Sequence, residues 1–318
     1  MANHRTMRKI LKTLLKIVSV FFGALTLGFA GLYVSLAISD GEAATPADVY
    51  RDSKRTPLVL AHRGGADLRP ENTFEAYDHA VDIGVDVLEI DVRISKDGEF
   101  VVIHDSTVDR TTDGTGRVED KTVAELRSLD AGFKFTTDNG TSFPFRGKGI
   151  RIPTFRETLE RYKGRNINIE VKQAPGEKSR EFCETLRGRI DPKQTVVASA
   201  SGDFLYPFRD TCPEYTTSAT FTEVLDFLTR HKLGVSSSYS PAMRFLQIPA
   251  GFRYLTILDR SFASSAKSKG LGIHVWTIND ANEMRRLIRL GVDGIVTDKP
   301  DLLIKVIEEE SGAKRISQ

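Results

Sequence analysis

Short apolar runs alternate with amphipathic stretches from about residue 57 towards the end of the chain. Seven of these runs are four to seven residues long and rich in Val and Ile, which is typical of parallel strands that are buried on both faces. The runs cover residues 58–62, 87–92, 167–171, 195–199, 216–220, 272–277 and 294–297. The pattern therefore predicts a repeated strand–helix unit.

Helical periodicity fills the intervals between the apolar runs. Several of these stretches begin at a residue whose side chain can accept a hydrogen bond from the first helical turn, namely Thr73, Thr154 and Asp280. The helical patterns include residues 74–83, 155–162, 180–190, 221–229 and 281–290.

A regular alternation with about eight strands favours an α/β fold of the closed (β/α)8 TIM-barrel type. The eighth strand must lie between Leu233 and Leu258, where residues 234–239 and 254–258 both fit. The main alternative is an open, doubly wound sheet. That fold is expected to carry a glycine-rich phosphate loop after its first strand, and Gly64-Gly65 alone does not form one.

Two features interrupt the alternation after the second strand. Asp97-Gly98 is a strong hairpin signal, and a two-residue turn there would set His104 opposite Asp91. The following stretch, residues 106–152, is rich in Gly, Thr and Asp and has one short helical pattern at 123–129. Because long loops in compact domains are usually functional, we expect this insert to lie over the mouth of the barrel.

The start of the chain has the pattern of a membrane anchor. Residues 17–38 are uncharged and long enough to span a bilayer, and five basic residues precede them, which predicts a cytoplasmic N-terminus and a barrel outside the cytoplasm. A long cleaved signal peptide is the rival interpretation, and a buried soluble helix is the weakest one. The predicted organisation is a basic tail at 1–16, an anchor at 17–38, a linker at 39–56, the barrel at 57–305 and a C-terminal tail at 306–318.

Composition and charge exclude some classes of partner. The chain of 318 residues is 40% hydrophobic and 28% charged, with a formal net charge of +2. It has no basic stripe with interleaved aromatic residues, so nucleic acid is not an expected partner. Cys183 and Cys212 fall on consecutive predicted helices, and outside the cytoplasm they could form a disulfide or remain two buried thiols.

Charged residues stand at the C-terminal ends of the apolar strands. A (β/α)8 barrel has its active site at this end of its strands. Since strand side chains alternate, Glu89 and Asp91 share one face, and so do Glu170 and Lys172. The candidate residues at the strand ends are His62, Arg63, Glu89, Asp91, His104, Glu170 and Lys172.

These residue types suit phosphoryl transfer. Three carboxylates in one low-dielectric space repel each other unless a cation neutralises them, and all-oxygen ligands favour one Mg²⁺ or Ca²⁺ ion. Arg63 and Lys172 can hold a phosphate, while His62 and His104 can move protons. Any one of these residues alone would more often form an ordinary ion pair or a core contact. Their convergence predicts a metal-dependent site.

The ordered motifs resemble the glycerophosphodiester phosphodiesterase family across about residues 58–303. The motifs are His62-Arg63-Gly64, Pro70-Glu71-Asn72-Thr73, Glu89-Ile90-Asp91-Val92, His104-Asp105, Arg110-Thr111-Thr112, Ile152-Pro153-Thr154, Glu170-Val171-Lys172, Val275-Trp276-Thr277-Ile278-Asn279 and Gly294-Ile295-Val296-Thr297-Asp298.

The resemblance implies a role for each matching residue. Glu89, Asp91 and Glu170 would bind the metal, and His62 and His104 would act as general acid and base. The residues implied to hold the substrate are Arg63, Lys172 and the pocket residue Trp276.

The activity implied by the resemblance is hydrolysis of a glycerophosphodiester to glycerol phosphate and an alcohol. One alternative is a lysophospholipase D that acts on membrane lysophospholipids. The aromatic residues of the insert are the place where a lipid-tail groove would lie, although such residues more often pack into a small core of the insert itself. A second alternative is a non-catalytic barrel that binds phosphodiesters or a cell-surface partner. The insert residues in question are Phe133, Phe135, Phe143 and Phe145.

Overall fold

The computed structural model describes residues 2–53, 55–252 and 255–316. A long helix lies at the N-terminus. The helices that follow it surround a sheet. The helices are α1 (Ala2–Ile38), α2 (Phe74–Asp82), α3 (Val123–Ser128), α4 (Phe155–Arg161), α5 (Ser179–Leu186), α6 (Gly202–Thr211), α7 (Phe221–Lys232), α8 (Arg260–Ser268), α9 (Ala281–Leu290) and α10 (Pro300–Ile316).

The strands are short, and most of them are fully buried. In chain order they are β1 (Leu58–Ala61), β2 (Val87–Ile94), β3 (Phe100–Val102), β4 (Ile167–Val171), β5 (Thr195–Ala198), β6 (Thr216–Thr217), β7 (Phe245–Pro249), β8 (Gly251–Phe252), β9 (Leu255–Thr256), β10 (Gly272–Trp276) and β11 (Gly294–Thr297).

Eight parallel strands form the barrel in the order β6-β5-β4-β2-β1-β11-β10-β7. A parallel bridge between Ser218 and Phe245 brings the two ends of this order together. Apolar side chains of the strands pack against one another and against the inner faces of the helices, in two large clusters that contain β2, β4 and α5 on one side and β7, β10 and α9 on the other. The predicted (β/α)8 TIM barrel is confirmed.

The eighth strand lies in the predicted interval, but neither proposed segment forms it. The strand is β7, which pairs with β10 from Phe245↔Gly272 to Pro249↔Trp276. Residues 236–238 instead form a 3-10 turn. The second proposed segment lies partly outside the described residues, and its part Leu255–Thr256 pairs antiparallel with β8 in a separate two-stranded sheet.

The hairpin after β2 forms as predicted, but its register differs by one residue. β3 pairs antiparallel with β2 through Val92↔Val102, and Ile103 N donates to the carbonyl of Asp91, so Asp91 faces Ile103 rather than His104. The reason is a three-residue loop. Gly98 adopts a positive φ of 84°, which closes a turn with one extra residue in the manner of a bulged hairpin.

Three predicted helix starts are confirmed by their capping hydrogen bonds. Thr73 accepts from Ala76 N, Thr154 accepts from Glu157 N, and Asp280 accepts from Glu283 N. Each cap satisfies a backbone donor that the first helical turn leaves unpaired. The caps therefore fix where the helices leave the mouth of the barrel.

Cys183 and Cys212 form a disulfide between consecutive helices. Cys183 lies on α5, Cys212 directly follows α6, and their Cα atoms are 6.0 Å apart. Both residues are fully buried within the larger aromatic cluster of the core. The pairing selects one of the two alternatives that the sequence leaves open.

The segment between α1 and β1 packs against the amino-terminal base of the barrel. Val49 and Tyr50 are buried with Leu60, Val87 and neighbouring residues at the starts of the strands. The Tyr50 hydroxyl donates to the carbonyl of Ile167 at 2.8 Å. Residues 41–50 thus close the end of the barrel opposite the active-site mouth.

Helix α1 contains a stretch, Met7–Ile38, that is long and apolar enough to cross a membrane. No part of the most apolar 18 residues of this stretch is buried against the rest of the protein. A signal sequence near the N-terminus has the same properties. At the other end of the chain, α10 continues through the predicted barrel boundary at residue 305.

Candidate active site

Three carboxylates meet at the carboxyl ends of β2 and β4. Glu89 and Asp91 lie two residues apart on β2, so their side chains share one face of the strand. Asp91 is paired with Glu170 on the neighbouring strand β4. One oxygen from each of the three side chains lies within 4.8 Å of the others. Parallel pairing of two strands that both end in acidic residues is what brings these groups together. The three side chains predicted as metal ligands are therefore adjacent.

The surroundings of Asp91 fit a divalent cation. The side chain is completely buried, and its Oδ1 accepts no hydrogen bond from the described residues. Lys172 Nζ lies 3.2 Å from that oxygen without hydrogen-bond geometry, and Asn72 donates to the other oxygen at 2.9 Å. A buried carboxylate oxygen that lacks a donor is costly unless a cation binds it.

The pKa shifts of Glu89 and Asp91 also fit a bound divalent cation. Burial raises the pKa of Glu89, and the nearby negative charge of Asp91 raises it further. Burial also acts to raise the pKa of Asp91, but the charges of Lys172 and Arg63 outweigh it and lower that pKa. Two carboxylates in this position do not both ionise easily without added positive charge, which a hard divalent cation would supply.

Two basic residues flank the carboxylates. Arg63 follows β1 in a left-handed conformation with a φ of 53°, and its backbone N donates to Glu89 at 2.8 Å. Its guanidinium contacts Glu71 at 2.9 Å and Asp91 at 3.2 Å. Lys172 Nζ lies 2.8 Å from Glu170. Both basic groups therefore lie beside the predicted metal ligands.

Each histidine is held by a carboxylate through Nδ1. The distance from His62 Nδ1 to Asp298 Oδ1 is 2.6 Å, and the distance from His104 Nδ1 to Asp105 Oδ1 is also 2.6 Å. These pairings fix the orientation of the rings and leave each Nε2 available for a substrate.

The two histidines differ in their affinity for a proton. Burial acts to lower the pKa of His62, but the hydrogen bond with Asp298 and the charge of Glu89 outweigh it, so the pKa is raised. Burial lowers the pKa of His104, and the attraction of Asp91 and Asp105 does not restore it. The two imidazoles are thus in different electrostatic environments.

Sequence reasoning did not assign the residues that position the two histidines. Asp298 accepts a hydrogen bond from Asn279 at 2.6 Å in addition to its contact with His62. Arg110 bridges Asp105 and Glu71, each at 2.6 Å, and so ties the insert to the loop after β1. All five positions lie within or next to the family-like motifs. The acidic residue next to His104 was a local signal for one of the two pairs.

Trp276 lies at the carboxyl end of β10, beside Pro249 at the end of β7. The side chain is 45% exposed, which is high for a tryptophan on a barrel strand. The structure thus places an exposed aromatic ring at the end of this strand, and its role in lining the substrate pocket stays a prediction.

The aromatic residues of the insert contact either one another or a basic side chain of the insert. Phe135 and Phe145 make an edge contact with ring centroids 5.3 Å apart. The guanidinium of Arg146 lies 4.1 Å from the ring centroid of Phe133 and 3.9 Å from that of Phe143. All four phenylalanines are partly buried. The insert therefore has a small core of its own.

Residues 62–302 match the model of the glycerophosphoryl diester phosphodiesterase family. The chain belongs to this family. It is 32% identical over 258 residues to a glycerophosphodiester phosphodiesterase from Caldanaerobacter subterraneus subsp. tengcongensis, with 79% of this chain and 98% of that protein covered. It is also 26% identical over 285 residues to a lysophospholipase D of Mus musculus, covering 81% and 89% of the two chains.

A solved structure supports the same assignment. A phosphodiesterase from Oleispira antarctica, determined in complex with the product sn-glycerol-3-phosphate, matches with a TM-score of 0.63 and 26% identity. The match covers 80% of this chain and 97% of that one. The family, the barrel and the enzyme class, a phosphoric diester hydrolase, therefore agree with one another.

Proposed function

We propose that this protein hydrolyses glycerophosphodiesters to glycerol phosphate and an alcohol, with the help of one divalent cation. The observation that carries the proposal is the convergence of three adjacent carboxylates, two basic side chains and two carboxylate-paired histidines at one barrel mouth. A barrel that only binds phosphodiesters would not need two histidines held in this way.

In the proposed mechanism, Glu89, Asp91 and Glu170 would hold the cation, which would supply positive charge to neutralise and polarise the phosphate. Arg63 and Lys172 bind the phosphate oxygens and orient the phosphorus for in-line attack. One histidine takes a proton from the attacking oxygen as this oxygen bonds to phosphorus, and the other gives a proton to the ester oxygen of the alcohol as its bond to phosphorus breaks. Asp298 and Asp105 keep the two imidazoles in position during these transfers.

A substrate panel tests the proposed activity. We expect the purified protein to hydrolyse glycerophosphocholine or glycerophosphoinositol in the presence of Mg²⁺ or Ca²⁺, and to lose this activity with a chelator. Glycerol phosphate and the free alcohol are measured separately. A protein that binds these diesters and releases no product with either cation would be the non-catalytic barrel instead.

We further propose that α1 anchors the protein as a single span, with a cytoplasmic N-terminus and the barrel outside the cytoplasm. The uncharged stretch follows five basic residues, and the first charges after it are acidic, which fits this orientation. The disulfide between Cys183 and Cys212 also fits an oxidising compartment. Residues 17–38 would form the membrane span.

Protease accessibility tests this topology. Protease added to intact cells or spheroplasts should digest the barrel while the membrane is still closed. Protection until lysis would contradict the orientation. A mature protein that leaves the membrane fraction and lacks residues 1–38 by mass would instead identify a cleaved signal peptide.

A further inference from the structure

Exposed large hydrophobic side chains of the barrel concentrate on α7 and on Leu233, the residue that follows it. Phe221 is 68% exposed, and Leu225 and Leu233 are each 50% exposed. Tyr206 of α6 lies next to them, with its hydroxyl 3.1 Å from Thr222 Oγ1. We call Tyr206, Phe221, Leu225 and Leu233 the α7 flank. In the barrel as far as the structure describes it, the other large apolar residue with comparable exposure is Trp276 at the mouth.

Helix α7 has more apolar residues than its packing on the barrel requires. Phe227 is fully buried against Tyr239 and Phe262, so the inner face of the helix is already covered. Phe221 and Leu225 are four residues apart and therefore share another, outer face. A second apolar stripe on a surface helix marks a face that another surface covers.

Helix α1 is tied to the barrel at the end of α7. Gly41 N donates to the carbonyl of Ser237 at 2.8 Å, and Lys269 Nζ donates to the carbonyl of Gly41 at 2.6 Å. Gly270 has a φ of 69°, and a Cβ there would collide with the carbonyl of Ala44, so the close approach requires glycine. This attachment point lies a few residues beyond Leu233.

The chain between α1 and this attachment is very short. Only Ser39 and Asp40 separate Ile38 from Gly41. Three extended residue steps span roughly 10 Å at most. If α1 spans a bilayer, the end of α7 is therefore held close to the membrane surface.

From these observations we propose that the α7 flank lies on the surface of the membrane that α1 spans. The flank runs from the attachment point to the mouth, because Phe221 follows β6 and its N donates to the carbonyl of Ala200 just after β5. The barrel then lies on its side with its mouth at the level of the lipid head groups. A lysophospholipid in the same bilayer reaches the site along the surface, an extension that rests on the proposed function.

Charge on α7 is compatible with an anionic lipid surface. The last turn carries Arg230, His231 and Lys232, and Lys232 is exposed. The exposed carboxylate of Asp226 is paired with Arg230 at 2.8 Å. An apolar stripe combined with basic residues is the pattern of helices that lie in a membrane interface.

Labels at three positions test the orientation in the full chain. Single variants Asp226→Cys on α7, Asp82→Cys on α2 and Lys148→Cys on the insert each replace an exposed residue. Because Cys183 and Cys212 are paired, the introduced cysteine carries the fluorophore. Each variant is reconstituted in phosphatidylglycerol–phosphatidylethanolamine vesicles with lipids that carry a quencher near the head group.

We expect several-fold stronger quenching of the label at position 226 than at position 82, which lies on the helix between β1 and β2. Equal quenching at 226 and 82 would show that the base of the barrel lies on the lipid, and would overturn the proposal. Absence of quenching at all three positions would also overturn it, and dimerisation through α7 would then be tested by cross-linking. None of these readouts requires activity, so they are independent of the proposed reaction.

A second measurement connects the flank to substrate access. The double variant Phe221→Ser/Leu225→Ser should hydrolyse lysophospholipid in its own vesicle several-fold more slowly than the native chain does. Its rate on soluble glycerophosphocholine should not change, which serves as the internal control for folding. An equal loss on both substrates, or no loss on the lipid, contradicts the inferred role of the flank. Inactivity of the native chain on both substrates would instead count against the proposed function.

Discussion

Replacing any one of the three clustered carboxylates is expected to abolish metal-dependent hydrolysis. The variants are Glu89→Gln, Asp91→Asn and Glu170→Gln, which keep the shape of each side chain and remove one ligand charge. Because a bound cation typically stabilises the charge of the transition state by several kcal/mol, the expected loss in kcat/KM is on the order of 10³-fold or more. The rates are measured with saturating Mg²⁺ or Ca²⁺ and again with a chelator.

A matched control separates ligand loss from unfolding. Glu75→Gln removes an exposed carboxylate on α2 and should leave the rate unchanged. Added cation should raise the Tm of the native protein and of this control, and have little effect on the three ligand variants. Full activity of Glu89→Gln in the presence of a chelator would refute the metal site.

The raised pKa of Glu89 predicts the direction in which the stability of the metal-free protein changes with pH. Its folded-state pKa is raised, so without metal the folded protein binds this proton more tightly than the unfolded chain does. The contribution of Glu89 to stability is therefore lost as pH rises from the unfolded pKa through the folded one. Metal-free Glu89→Gln should lack this loss and should be no less stable than the native protein at neutral pH. This behaviour differs from that of a variant that misfolds.

The hydrophobic pattern predicts most of the barrel because most strands are buried on both faces. Strand β7 escapes the pattern because Gln247 interrupts its apolar run. That side chain donates to Asn168 of β4, so a polar contact between strands replaces an apolar one. Periodicity alone does not reveal such a contact, since the two residues are 79 positions apart. The same limit applies to the closing bridge between Ser218 and Phe245.

The candidate site could be predicted as far as its residues follow apolar strands. Glu89, Asp91 and Glu170 end two strands that are neighbours in the barrel, and the structure places them together. The pairing of His62 with Asp298 depends instead on the contact between the first and last strands, which only closure of the barrel creates. A carboxylate can be recognised from sequence, but its histidine partner depends on the tertiary structure.

Removing either histidine is expected to lower kcat by roughly 10²- to 10⁴-fold, the usual contribution of a positioned acid or base. The variants are His62→Ala and His104→Ala. Cation binding should survive in both, because neither histidine belongs to the carboxylate cluster. It is measured through the rise in Tm on addition of the metal. In-line displacement at phosphorus requires a proton to leave the attacking oxygen and another to reach the departing oxygen, so both groups are needed.

A change of leaving group distinguishes the two roles. A p-nitrophenyl phosphodiester releases an anion that needs no protonation, so it should restore the rate of the variant that lacks the general acid. The variant that lacks the general base should remain slow, because its attacking oxygen still has to lose a proton. As a control, His231→Ala removes a histidine on α7 that is distant in sequence from His62 and His104. This variant should leave the rates on both substrates unchanged. If both active-site variants keep near-native rates, or lose cation binding together with activity, the histidines are structural or ligating instead.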